Sequence, residues 1–467
     1  MSHSNFSGRS RQIQSLRRQF AQADGLPLSD VLPAEEIGQV LHSTGACWRE
    51  VVYTPALTLW TFLAQALNFD GSCRAAVARL MAWLLAHGQK ACSAATDPYC
   101  KARQRLPLEA IQQLTRRSGQ RLHGQAEDSW RWKGRRVKLV DGSTISMPDT
   151  LANRAAYPQP GTQKPGVGFP LARIVVVFCL ACGTVLDAAM GRYKGKRTGE
   201  NALLRGLEDC FEKGDVFLAD RYYCGYWDLA LLTQKGVDLV IRKHQLRKSD
   251  FRTGKRLGKE DHVVIWHKPK QRPYWLGKRE YAALPAQLHL REARVRITVA
   301  GARTQVLEVM TTFTDPQEVK KAELAQLYQA RWHMELDLRC LKTAMEMDVL
   351  RCKSPAMVRK EFWTHLLAYN LIRTVMAQAA KEHDLLPRQI SFTATIQALI
   401  AFAPWLDRSS GQEIYDDVEF LWGFIANHQV MDRPGRQEPR KVKRRPKPHP
   451  LLTMPRKQAR KELLRKG

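Results

Sequence analysis

From residue 136 to residue 242 the chain reads as short apolar runs separated by glycine, proline and amphipathic stretches. That pattern confines it to an α/β sheet. Arg136-Val-Lys-Leu-Val-Asp141-Gly-Ser-Thr144 is a strand ending in a carboxylate and a glycine turn. After a Pro/Gly-rich loop, strands at 171–181 and 184–194 are joined by Ala-Cys-Gly-Thr as a hairpin. Gly199–Lys213 reads as a helix, and Asp215–Asp220 as a buried strand ending in a second carboxylate. Gly225–Lys235 is a further helix and Val237–Arg242 a fifth strand. The order β-β-β-α-β-α-β, with acids ending the first and fourth strands, describes a ribonuclease H-like sheet with its ligand crevice at the strand ends. Either aspartate alone is weak evidence, because Asp is also a turn former.

The second constraint is Tyr328–Lys342, which lies in a stretch without glycine and without proline between Pro316 and Pro355. At about 100° per residue from Tyr328, Arg331 falls at about 300°, Glu335 at about 340° and Lys342 at about 320°. An aromatic hydroxyl, two cations and a carboxylate thus share one helix stripe. Leu327, Met334, Leu338, Leu341 and Met345 form an apolar stripe beside it, and Asp337 falls on the other side. A solvated face of ordinary i,i+4 charge partners would look the same in isolation. The two strand-end aspartates favour a helix that lines a charged site.

A net charge of +29 calls for a polyanionic partner, most simply nucleic acid. Residues 433–467 hold fourteen Lys and Arg against Glu438 and Glu462, with little apolar content, so disorder is expected there. No run reaches the length of a membrane span, and the polar N-terminus opens no signal peptide, so a cytoplasmic protein is expected. The ten cysteines read as free thiols. Cys179-Leu-Ala-Cys182 lacks the partners of a zinc site and reads as buried thiols at the hairpin.

Residues 1–135 break into amphipathic helices at 9–21, 33–42, 55–67, 71–87 and 107–122, with Tyr99–Pro107 a short basic turn. Such an arginine-rich helical region suits reading a DNA end, or simply capping the next domain. Residues 136–243 and 315–385 form the core, and 244–314 a basic β-rich insertion with strand-like runs at Val263–Trp266, Tyr281–Ala283, Val295–Val299 and Val306–Thr312. Residues 386–430 are a helical C-terminal region and 431–467 the basic tail. Trp266 and Trp275, among Lys268, Lys270, Arg272 and Lys278, suit stacking on unpaired bases; packing the insertion's own core suits them equally. Arg242 ends the fifth strand, where a DNA contact and a structural ion pair fit equally well.

Three carboxylates converging at one sheet edge, Asp141, Asp220 and Glu335, would hold two Mg²⁺ ions, with Mn²⁺ as an alternative, about 3.5–4 Å apart. Such ions activate a water or a DNA 3′-hydroxyl and stabilise the leaving oxygen. Tyr328, Arg331 and Lys342 would grip the flanking phosphates. Asp149 and Asp187 stand as alternatives to Asp141. A glycosidase-like carboxylate pair explains neither the charge nor the helix stripe.

These motifs together resemble bacterial insertion-sequence transposases of the DDE type, the family-four type marked by Tyr-(2)-Arg-(3)-Glu-(6)-Lys. Tyr328, Arg331, Glu335 and Lys342 meet that spacing in full. Val-Asp141-Gly-Ser-Thr, with Met147–Asn153 and Tyr157-Pro-Gln, resembles the family's first-Asp region. Gly199-Glu-Asn-Ala-Leu-Leu with Gly214–Tyr222 resembles its second, and Tyr99–Pro107 its N-terminal segment. The resemblance covers residues 99–380. It implies a ribonuclease H-like core with a β-rich insertion between the second Asp and the Glu. It further implies a nucleoid-associated homodimer that binds double-stranded DNA, both terminal inverted repeats and target, and uses Mg²⁺ to cut and rejoin it. In better understood members an insertion tryptophan accommodates a flipped base, here Trp266 or Trp275. The rival readings are a non-catalytic DNA-binding relic and a metal-dependent nuclease that cuts without joining.

Overall fold

The computed structural model describes residues 32–45, 52–68, 70–86, 88–297, 305–406, 413–430 and 450–466. The helix expected at 9–21 and the tail from 431 to 449 lie outside them. The chain is mixed α/β and divides into two compact units. One comprises residues 1–126, 182–186 and 338–430, the other 127–181, 187–337 and 431–467. No described helix is long and apolar enough to cross a membrane.

The first unit is helical. Its helices Ala34–Ser43, Pro55–Leu67, Cys73–Ala86, Asp97–Arg105 and Leu108–Gln125 begin and end close to the breaks read from the sequence. Pro55 supplies a fixed φ at the first helical position, and the Thr54 hydroxyl accepts the Leu57 N–H at 3.2 Å. Leu57, Val77, Leu80, Leu84 and Tyr99 close one apolar cluster. Arg103 is buried beside it because the Gln65 side-chain oxygen accepts from both Tyr99 Oη, at 2.8 Å, and Arg103 Nη1, at 3.1 Å.

The helix Pro355–Glu382 is the centre of this unit, buried without a break from Lys360 to Arg373. Asn370 fastens it to the hairpin segment 182–186. Its Oδ1 accepts from Thr184 Oγ1 and from the Val185 N–H, both at 2.8 Å. Its Nδ2 donates to the carbonyls of Val185 at 2.8 Å and Thr115 at 3.0 Å. A Cβ at Gly119 would stand 2.0 Å from the Val185 carbonyl oxygen, so only glycine allows the helix Leu108–Gln125 to approach so closely. Cys179 and Cys182 are buried thiols, as expected for this hairpin.

The second unit is built on one nine-stranded sheet, ordered β3-β2-β1-β4-β5-β9-β8-β7-β6. The strands are β1 Val137–Ser146, β2 Leu171–Cys179, β3 Val185–Arg192, β4 Val216–Ala219, β5 Asp238–Arg242, β6 Lys255–Gly258, β7 Asp261–His267, β8 Gln287–Ile297 and β9 Gln305–Thr311. β1 is antiparallel to β2 and parallel to β4, and β4 is parallel to β5. β9 pairs antiparallel with β5, so the insertion strands continue the same sheet. Buried charges are matched in place: Lys138 with Asp215 at 2.7 Å, Arg291 with Asp261 at 2.6 Å and Lys243 with Glu292 at 2.6 Å.

Several local expectations are corrected. β1 continues through Gly142 to Ser146 instead of ending there. Gly199–Lys213 forms only a short helix, Glu200–Arg205, and a 3₁₀ turn at Glu208–Cys210. Tyr281–Ala283 closes a helix, Lys278–Ala283, because the Glu280 carboxylate accepts the Gly277 N–H at 2.8 Å and caps its first turn. β8 begins at Gln287 rather than Val295. In the tail, Arg456–Lys466 is a helix.

Replacing Asn370 by alanine removes the partner that the Thr184 hydroxyl and the Val185 N–H and carbonyl share in this buried junction. The expected loss is about 2–4 kcal/mol of stability, read as a lower urea midpoint with an unchanged slope. A midpoint equal to wild type would show that this junction does not hold the unit.

Candidate active site

Parallel pairing sets the site. Val140 on β1 is in register with Ala219 on β4, so the next residues, Asp141 and Asp220, stand side by side where the β1–β4 pairing ends, with Asp141 still paired to Val176 on β2. Asp220 Oδ1 accepts the Tyr222 N–H at 2.8 Å and so starts a 3₁₀ turn, which fixes its side chain at the strand end. Asp141 Oδ1 accepts the N–H of Gly142 at 2.8 Å.

Glu335 and its neighbours come from the segment after the insertion, and here the structure departs from the helix-wheel reading. One continuous α-helix was expected. The chain instead forms Lys321–Ala330, breaks at Arg331, resumes as Trp332–Arg339 and passes into a π-helical turn at Cys340–Ala344. The apolar stripe is as expected, with Leu327, Met334, Leu338, Leu341 and Met345 all buried. Asp337, assigned to the other side, is fully buried as well. Lys342 falls in the π-helical turn and belongs to the helical unit.

Arg331, at the break, links two of the three carboxylates. Its guanidinium lies 3.2 Å from Glu335 Oε1 and 3.9 Å from Asp141 Oδ2. Tyr328 is buried, with the Arg331 guanidinium carbon 5.9 Å from its ring centroid. Burial pushes its hydroxyl up to about 12, with the Arg331 and Arg242 charges acting against that rise. Arg242, at the end of β5, is therefore close to Tyr328.

The Asp141 carboxyl is pushed up to about 6, first by burial and then by the charges of Asp220 and Glu200, against the Gly142 N–H and Arg331. Glu200 is the residue that sequence reasoning missed. It opens the short helix after β3, and Tyr223 Oη donates to its Oε2 at 3.5 Å. A Cβ at Gly142 would stand 2.2 Å from Glu200 Cδ. The glycine after Asp141 is therefore space for this carboxylate inside a strand, and not a turn. The available signal was an acid directly after Thr198-Gly199, following the third strand.

The two tryptophans are placed differently from each other. Trp266 is buried; its indole N–H donates to Glu292 Oε1 at 3.2 Å and Arg247 lies 4.0 Å above its ring. Of the two readings open for it, packing in the insertion's own interior is the one observed. Trp275 is half-buried, with the Arg205 guanidinium 3.5 Å over it. Beside it, Tyr274 is exposed. Of the alternative ligands, Asp149 pairs with Arg154 at 2.9 Å and the Asp187 carboxylate accepts the N–H of Ala188 at 2.8 Å.

The donor set at the edge is all hard oxygen, which suits a divalent ion such as Mg²⁺. Among the described residues, no three His, Cys, Asp or Glu side chains already surround a single ion position. Glu335 is paired with Arg331 at 3.2 Å.

The Transposase DDE domain family model matches residues 132–371, more than half of the chain. The chain is 28% identical over 442 residues to the transposase InsG for insertion sequence element IS4 of Escherichia coli (strain K12), covering 92% of this chain and 94% of that protein. A cryo-EM structure of the piggyBac transposase synaptic complex with hairpin DNA aligns over 88% of this chain and 85% of that one, at a TM-score of 0.40 and 8% identity. That last likeness is too distant to assign a fold. The match across strands, insertion and the Glu335 helix, together with a relative spanning nearly the whole length, places the chain in the DDE transposase family, as a DNA transposase and a polynucleotidyl transferase of a kind that uses divalent metal ions.

Proposed function

We propose that this transposase performs its phosphoryl transfers at Asp141, Asp220 and Glu335, on a ribonuclease H-like core. It would cut at terminal inverted repeats and join the ends to target DNA, acting as a homodimer that pairs two ends. The observation that carries the reading is the β1–β4 register, which sets Asp141 and Asp220 at one sheet edge, with Arg331 linking Asp141 to Glu335. The order β3-β2-β1-β4-β5, with β2 antiparallel to β1 and β1, β4 and β5 parallel, supports the ribonuclease H-like assignment.

Asp141 and Asp220 would hold Mg²⁺, with Mn²⁺ as an alternative, and Glu335 would complete the set for two ions. When bound, such ions activate the attacking oxygen and stabilise the leaving one in an in-line displacement. Arg331 balances Asp141 and Glu335 in the metal-free protein. Relieved of that task, its planar fork suits a DNA phosphate. Tyr328 supports Arg331 from beneath, and Arg242 adds positive charge on the same side, where a phosphate backbone would run. Trp275 and the neighbouring Tyr274 are better placed than the buried Trp266 to meet an unpaired base.

Glu335→Ala should lower Mg²⁺-dependent cleavage of a labelled duplex carrying the terminal repeat on the order of 10³-fold. Cleavage by wild type without joining would establish the nuclease instead. Tight binding with no cleavage by wild type would establish the DNA-binding relic.

Asp141 gives a second prediction with a definite sign. A carboxyl pushed up to about 6 binds its proton more tightly folded than unfolded, so its ionised form costs stability at neutral pH. That cost fades as pH falls from about 6 towards the ordinary aspartate range. Asp141→Asn should therefore raise the melting temperature of the metal-free protein at pH 7.5 while abolishing cleavage. At sub-saturating Mg²⁺, where protons compete with the ion for Asp141, wild-type cleavage should fall as the pH drops through about 6. A variant less stable than wild type at pH 7.5 would refute this electrostatic account.

A further inference from the structure

We propose that Glu200 is a fourth carboxylate of this site, a positioning residue that strengthens divalent-ion binding beside Asp141 and Asp220. The proposal rests on the reading of those two aspartates as metal ligands. An acid in the first turn of a helix ordinarily extends into solvent, where it needs no partner. Glu200 instead lies against the backbone of β1, next to Asp141. Its Cδ, Oε2 and Cγ would all lie within 2.6 Å of a Cβ at position 142, so the strand accommodates it only because Gly142 has no side chain.

The surroundings hold it there. Tyr223 Oη donates to Oε2 at 3.5 Å, and Tyr223 is itself buried in the turn that Asp220 caps. Arg173, on β2, is a nearby cation. Asp141 and Asp220 face the same space with their negative charges. Arg173 and Arg331 are thus set against three carboxylates converging from β1, β4 and the helix after β3. Mg²⁺ retains several waters when it binds carboxylates. A carboxylate in Glu200's place would accept hydrogen bonds from those waters, and such outer partners change metal affinity by about 10–100-fold.

Mn²⁺ binding is measured by titration calorimetry on the intact chain without DNA, for wild type, Glu200→Gln, Glu200→Asp and Asp141→Asn. Glu200→Gln keeps the shape and the hydrogen bond from Tyr223 but removes the charge. It should bind Mn²⁺ about 10-fold more weakly, with a melting temperature in the absence of metal no lower than that of wild type. Glu200→Asp, which keeps the charge, should recover part of the affinity. Wild-type Mn²⁺ affinity in Glu200→Gln, alongside a loss in Asp141→Asn, would overturn the role of Glu200 alone. Unchanged affinity in Asp141→Asn as well would overturn the underlying metal site. A melting temperature that drops in Glu200→Gln with affinity intact would assign Glu200 a purely structural role.

Discussion

Everything in the sheet unit depends on the parallel pairing of β1 with β4. A parallel ladder gives each strand a fixed register and sends both carboxyl ends out on the same edge. Val140 opposite Ala219 therefore brings Asp141 and Asp220 together although they lie far apart in the chain. The pairing is anchored at its other end by charges buried where they cannot be exchanged for water. Lys138, on β1, meets the Asp215 carboxylate just before β4 and donates to the Cys210 carbonyl at 2.6 Å. An uncompensated charge there would cost several kcal/mol, so a shifted register is strongly disfavoured.

At the carboxyl edge the same physics works in the opposite direction. Asp141, Asp220 and Glu200 are placed where their negative charges add, and that conflict contributes, after burial, to the rise of the Asp141 carboxyl. Arg331 offsets it in part, with one guanidinium 3.9 Å from Asp141 Oδ2 and 3.2 Å from Glu335 Oε1, its i,i+4 neighbour. Sites that store unfavourable charge in this way are natural receptors for cations and for the phosphates that accompany them.

Two features outside the edge change how the rest of the chain is understood. The insertion is an extension of the same nine-stranded sheet through β9 and β8, and its interior is tied together by buried charged pairs, including Glu292 with Lys243. Trp266 is consumed in that interior. In the helical unit, the helix Pro355–Glu382 is the central element, and Asn370 spends its hydrogen-bonding capacity on backbone and side-chain groups of segments remote in sequence.

Local pattern was enough to locate most strands and helices, because periodicity and capping residues act over a few neighbours. The Thr54-Pro55 helix start, the apolar run Ile174–Phe178 and the short strand Val216–Ala219 all read directly. The spacing of Tyr328, Arg331, Glu335 and Lys342 likewise marked the segment in which Arg331 pairs with Glu335 and approaches Asp141. Its geometry was not legible. The break at Arg331 and the π-helical turn at Cys340–Ala344 leave no mark in the spacing, so a uniform angle per residue did not describe this segment. Gly142 was read as a turn because a glycine's reason can lie in a distant side chain; only the tertiary structure brings Glu200 against it. The exposure of Trp266 was undecidable for the same reason. Sequence determined which residues could do the chemistry, through short-range rules. Which of them meet, and which are buried by long-range packing, was decided by the fold.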